Sequence, residues 1–163
     1  MKFFSCKFFL LTLALLDCAS ASEARVDCFV RFNFCLQVPP ELANKVSLSD
    51  NGDGGTYLSK DGVSLAAWGS HNSRNTTIKA EYSAAVKNAL EDHGQKITYQ
   101  KLTSRYYVLS GYEENKMFYN MVTLGIDDTF RSFLLRYPST LKNPNALIAD
   151  LFKQFKQIAE VRK

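Results

Sequence analysis

His71 and His93 are the only imidazoles in the chain, so any proton transfer tuned to neutral pH would start from one of them. His93 falls in the last turn of an expected helix, where a cation favours the dipole, and reads as structural. His71 lies in Trp68-Gly69-Ser70-His71-Asn72-Ser73, a polar loop after a strand, and such loops often carry function. A hydrolase would use His71 as general base, oriented by Asp53 or Asp61 from neighbouring turns. It would also need a nucleophile, and no Gly-x-Ser-x-Gly elbow is present. Ser110-Gly111 is half of one, set within an antiparallel strand. The carboxylate pairs Glu113-Glu114 and Asp127-Asp128 fall in turns with no protonating environment, so acid–base catalysis is not the preferred reading.

The run Asp50-Asn51-Gly52-Asp53-Gly54-Gly55 has the composition of a calcium loop but not its spacing. A calcium loop needs about six oxygens from alternate positions and a distal glutamate, and here no Glu follows at the right distance. A glycine-rich turn accounts for it. Cys28 and Cys35 stand seven apart with no histidine nearby, which is half a metal site, so they read as one structural disulfide. A two-residue turn at Arg31-Phe32 would oppose 30 with 33, 29 with 34 and 28 with 35, bringing the two Cα atoms to about 4.5 Å. No cofactor or metal is implied.

The elements that would position these groups follow from pattern. Residues 27–38 form the hairpin, closed by Pro39-Pro40. Residues 56–59 and 63–68 are strands around a Lys60-Asp61-Gly62 turn. From Ile78 the apolar positions Tyr82, Ala85, Val86, Ala89 and Leu90 mark one face of a helix ending near Gly94, capped by Asn75-Thr76-Thr77 (also a glycosylation acceptor pattern). Strands follow at about 96–102, 105–112, 116–124 and 128–137. Asn143-Pro144 then opens a helix in which Leu147, Ile148, Leu151, Phe152, Phe155 and Ile158 repeat at three and four, a core stripe. The fold class is α+β: an antiparallel β-sheet of about six to eight strands flanked by two helices. Both helices should pack apolar faces on the sheet.

The N-terminus has the grammar of an export signal. Lys2 and Lys7 precede the apolar run 8–16, far short of the roughly 20 residues of a bilayer span, and Ala19-Ser20-Ala21 is a cleavage pattern. Residues 1–21 are therefore expected to be a signal peptide, with 22–163 a single domain and no transmembrane segment in the mature chain. A lipid on Cys18 is disfavoured by Asp17 before it. The formal charge of +4 is mild and interspersed, including around Lys153, Lys156, Arg162 and Lys163, which argues against nucleic-acid binding. The expected location is the periplasm or the medium.

Several stretches resemble an uncharacterised family of small exported bacterial proteins. They are Phe32-Asn33-Phe34-Cys35-Leu36-Gln37-Val38-Pro39, Asn51-Gly52-Asp53-Gly54 with Tyr57 and Ser59-Lys60-Asp61-Gly62, and Ala67-Trp68-Gly69-Ser70-His71-Asn72. Ile97-Thr98-Tyr99, Tyr107-Val108-Leu109-Ser110-Gly111, Phe118-Tyr119 and Leu134-Leu135-Arg136-Tyr137-Pro138 continue the likeness across nearly all of 22–163. The order of strands and helices is also similar to the PsbP-like sandwich. That fold serves a photosystem II extrinsic subunit, a nuclear-import factor and chaperones for secreted effectors. The resemblance implies binding to another macromolecule.

The resulting expectation is an exported, non-enzymatic protein-binding or accessory domain, one version being an immunity-type protein against a periplasmic toxin. The alternative is the small hydrolase using His71. Its protein partner would sit in the envelope or outside the cell. The residues read as a candidate binding surface are Tyr57, Trp68, His71, Asn72, Tyr112 and Tyr119, with Tyr106, because tyrosine and tryptophan join a large apolar area to one polar handle.

Overall fold

A computed structural model describes residues 25–91 and 94–160; the expected signal peptide and His93 lie outside them. The first element is a hairpin of β1 (Arg25–Phe29) and β2 (Phe34–Val38). Its register opposes Cys28 to Cys35 and Phe29 to Phe34, and the two cysteines are disulfide-bonded with Cα atoms 4.0 Å apart. The turn falls where the spacing puts it, but Val30–Phe32 form a 3-10 turn, and Val30 and Asn33 do not extend the ladder. Asn33 closes it at φ 51°, a left-handed conformation that asparagine tolerates. Alternation along β2 turns Phe34, Leu36 and Val38 inward and leaves Cys35 and Gln37 outside.

Seven further strands make one fully antiparallel sheet: β3 (Lys45–Leu48), β4 (Gly54–Leu58), β5 (Ser64–His71), β6 (Lys96–Leu102), β7 (Tyr106–Glu113), β8 (Lys116–Leu124) and β9 (Thr129–Pro138). Their order across the sheet is β3-β4-β5-β9-β8-β7-β6. The chain lays down three strands and crosses over through helix α1 (Ile78–Glu91). It then meanders back through four strands until β9 docks on β5. β3 is an element that pattern alone does not announce. It is four residues long and largely exposed, and pairing with β4 rather than alternation makes it a strand. β5 runs three residues past its expected end, so His71 is not in a loop but is paired with Thr129 on β9. On this extension Gly69 lets the Phe32 ring lie against the strand; a Cβ there would stand 2.2 Å from Phe32 Cγ.

The two faces of the sheet are covered differently. Leu65, Ala67, Val108, Met121, Phe133 and Leu135 share one face and pack against the β1–β2 hairpin and helix α2 (Pro144–Glu160). Leu147, Leu151, Phe155 and Ala159 recur every four residues on α2 and are all buried. Phe155 meets Phe133 at 4.9 Å and Phe34 at 5.9 Å between ring centroids, a burial that stabilises by about 1.5–3 kcal/mol. Asn143, before this helix, has φ 55° rather than the extended backbone usual for a cap. On the other face α1 covers Tyr107, Leu109, Phe118, Val122 and Phe130 with Ile78, Tyr82, Ala85 and Val86. Thr77 caps α1, its Oγ1 accepting from the Ala80 N–H at 3.2 Å. Leu90, expected on the apolar face, is 55% exposed, and it is Ala89 beside it that the last turn buries. Both helices thus lie on the sheet by their apolar faces, and the architecture is the expected α+β sandwich.

Candidate functional site

The residues that could do acid–base chemistry are not assembled for it. Asp61 and His71 sit at opposite ends of β5, more than about 20 Å apart, which removes Asp61 as an orienting acid. Asp53 lies at the His71 end, but its carboxylate accepts from Arg31 Nη1 at 2.9 Å and Asn51 Nδ2 at 2.6 Å. The exposed His71 ring packs against Phe32, 4.9 Å between centroids. The Ser110 hydroxyl is buried mid-strand and donates to the Phe118 carbonyl at 2.8 Å, a ladder accessory rather than a nucleophile. Among the described residues no group of three or more His, Cys, Asp or Glu is placed to hold a metal.

The carboxylate pairs are divided by the fold. Glu113 accepts from Arg136 Nε at 2.8 Å. Asp127 accepts from both Nη atoms of Arg131 and from Thr129 Oγ1. Partial burial alone would raise the Asp127 pKa; the Arg131 and Thr129 hydrogen bonds override it and hold the carboxyl down at about 2. Arg131, itself buried, also donates through Nε to the Phe32 carbonyl at 2.7 Å. A cavity of about 350 Å³ opens beside this pair and the disulfide, lined by Val30, Phe34 and Ile126. With its donors turned to Asp127 and to the hairpin, Arg131 is a clasp between β9 and the 3-10 turn.

Asn72 is likewise structural. Its Nδ2 donates to the Thr76 carbonyl and Asp128 Oδ1, and its Oδ1 accepts from Thr76 N and Oγ1, all within 3.2 Å. A saturated, buried amide has nothing left to offer a ligand, so Asn72 leaves the candidate surface and becomes the tie between β5, α1 and the β8–β9 turn.

The aromatic candidates separate by face. Tyr57 is 0% exposed in the core beneath the hairpin, where burial and then the Asp27 carboxylate raise its phenol pKa, so it is no part of a surface. Tyr112 is 42% exposed, Tyr119 is half-buried with its ring stacked 5.8 Å from Phe133, and Tyr106 lies beneath Phe152 and Lys101. These three share the α2 side of the sheet with Tyr99, which is 50% exposed and paired with Ser110. Burial, then the neighbouring hydroxyls of Tyr99, Tyr106 and Tyr137, push the Tyr119 phenol up to about 12. Tyrosines from three strands therefore converge on the β6–β7–β8 half of that face. Trp68 is on the opposite face, where it lines a cleft of about 230 Å³ with Asn120 and Arg136.

Sequence reasoning missed Tyr99 and Asn120 as site residues. The available signal for Asn120 was an amide interrupting Met117-Phe118-Tyr119-Asn120-Met121-Val122; Tyr99 gave none until β6 was paired. Comparison with protein-family models, with curated proteins and with solved structures found no match.

Proposed function

We propose that this chain is an exported, non-catalytic domain that binds another protein through the tyrosine-bearing half of its sheet, in the periplasm or outside the cell. The observation that carries the reading is the convergence of Tyr99, Tyr112 and Tyr119 on a surface with two of the three rings substantially open to solvent. Rigid rings with a polar tip lose little conformational entropy on binding, which suits them as interface anchors. Lys96 and Lys101, exposed on β6 beside these rings, give the surface a basic rim. The disulfide fits an oxidising compartment, and no helix among the described residues is long and apolar enough to cross a membrane. An antiparallel sheet with helices on both faces is compatible with the PsbP-like resemblance, and the macromolecule-binding role of that fold enters here as analogy.

The test is affinity capture from envelope and secreted fractions with the oxidised protein and with a Tyr99→Ser/Tyr112→Ser variant. Both side chains are exposed, so the variant should fold. A partner retained by the wild type and lost by the variant supports the reading. A partner held equally by both places binding elsewhere, and the tyrosine surface is then not the site.

A further inference from the structure

The α1 face of the sheet holds the cleft of about 230 Å³, with Trp68 of β5 as one wall and Leu109, Phe118 and Leu134 among its apolar lining. Asn120 is out of place there. It is paired with Leu109 on β7 and with Leu134 on β9, the centre of an apolar row. Its Oδ1 is sealed from solvent and has no hydrogen-bond partner among the described residues. An unsatisfied buried carbonyl is destabilising, and leucine at this position would remove the penalty. Asn120 as a residue is nonetheless half-buried and lines the cleft, so it is the rest of its surface, and not the sealed Oδ1, that borders the space.

The rest of the rim matches that amide. Asn88 on α1 and Gln95 just beyond it add two more, and neither makes a side-chain hydrogen bond within the described residues. Arg136 also lines the cleft, but its charge is balanced by Glu113 at 2.8 Å. Among the described lining residues the cavity thus offers amide donors and acceptors, one indole and no uncompensated charge. An anion would find no free cation among these described residues. Hydroxyl groups both donate and accept, as side-chain amides do, and the C–H face of a sugar ring packs well on an indole. The volume is below the about 300–1,000 Å³ of pockets that enclose drug-sized ligands, which limits the occupant to one ring.

We propose that the Trp68–Asn120 cleft binds a single uncharged pyranose unit of a carbohydrate. The site is on the opposite face from the tyrosine surface, and its test is independent of that reading. Trp68 is the only tryptophan in the chain, so intrinsic fluorescence reports on this cleft. N-acetylglucosamine, glucose and galactose are titrated separately into the disulfide-bonded protein and into Asn120→Leu and Asn88→Ala variants. The expected result is a saturable change with at least one sugar, with an affinity on the order of millimolar for so small a ligand. That affinity should weaken at least about tenfold in one or both variants while the melting curve shows a folded protein. Asn88 is exposed on α1, so its truncation keeps the test valid even if Asn120→Leu disturbs the sheet. No saturable change with any of the three sugars, or binding unaltered in both variants, overturns the proposal.

Discussion

At the scale of single residues, two buried side-chain atoms among the described residues, Tyr57 Oη and Asn120 Oδ1, have no hydrogen-bond partner. Asn72 makes four side-chain hydrogen bonds that join three segments, whereas Asn120 leaves Oδ1 unpaired in an apolar row. Asn120→Leu should therefore raise stability by about 1 kcal/mol in chemical denaturation, while Asn72→Leu should lower it, because Thr76 and Asp128 lose their partner. A destabilised Asn120→Leu would mean that the amide is satisfied in solution. Asp127 sets the acid limit. Its folded pKa of about 2 lies below the ordinary 3.8, so its contribution is present in full above pH 4 and is lost as pH falls through 2. That contribution is on the order of 1 kcal/mol once solvent screening at its exposed edge is allowed for. Stability measured from pH 5 to pH 2 should fall for the wild type and fall less steeply for Asp127→Asn. The variant starts lower, because the buried Arg131 has lost its counter-charge. Equal slopes would remove Asp127 as the titrating group.

At the scale of elements, α2 and the hairpin answer different questions. Leu151 has no exposed area beneath α2, so Leu151→Asp should abolish the cooperative melt: an unpaired buried charge costs several kcal/mol against a total of about 5–15. The hairpin should tolerate loss of its disulfide. Phe29, Phe32, Phe34, Leu36 and Val38 are buried, Arg131 holds the Phe32 carbonyl, and the Gln154 amide both accepts from Gln37 N and donates to Gln37 O. Opening so short a loop costs about 2–3 kcal/mol in the chain-entropy model, less than those contacts supply. Cys28→Ser/Cys35→Ser should thus melt at a lower temperature but still in one transition; non-cooperative unfolding would show that the bond holds the hairpin on the sheet. These elements were legible where local pattern and tertiary need coincide. The bounds of β8 at Lys116–Leu124 and the opposition of Cys28 to Cys35 follow from alternation and spacing alone. β3 was not legible, since a short, exposed edge strand has no apolar face to advertise. Nor was the face of each tyrosine. Alternation says that Tyr57 and Tyr112 each point to one side of a strand, but which side α2 and the hairpin cover, and how far, is set by long-range packing.

For the whole molecule, the open question is what its two sheet edges do. Among the described residues, β3 and β6 each have one side of their backbone without a neighbouring strand, a template on which a second copy could add. Both edges carry the features that discourage this. β3 is four residues long and begins at Lys45. β6 is seven residues long, with exposed Lys96 and Lys101 near its ends and a register shift between Ile97 and Tyr99 that breaks the regular spacing of its outer hydrogen-bonding groups. An approaching β6 from a second copy would bring the same two lysines into a low-dielectric seam, where like charges repel. The protein should therefore sediment as a monomer at micromolar concentration, even though Tyr99 and Leu102 are exposed on the same strand. Replacing both lysines, in Lys96→Thr/Lys101→Thr, removes the repulsion and adds β-propensity at the edge, so this variant should self-associate as concentration rises. If the wild type is already a dimer and the double variant is no more associated, the lysines are not what guards the edge. The tyrosine face beside β6 would then have to be read as a surface shared between two copies.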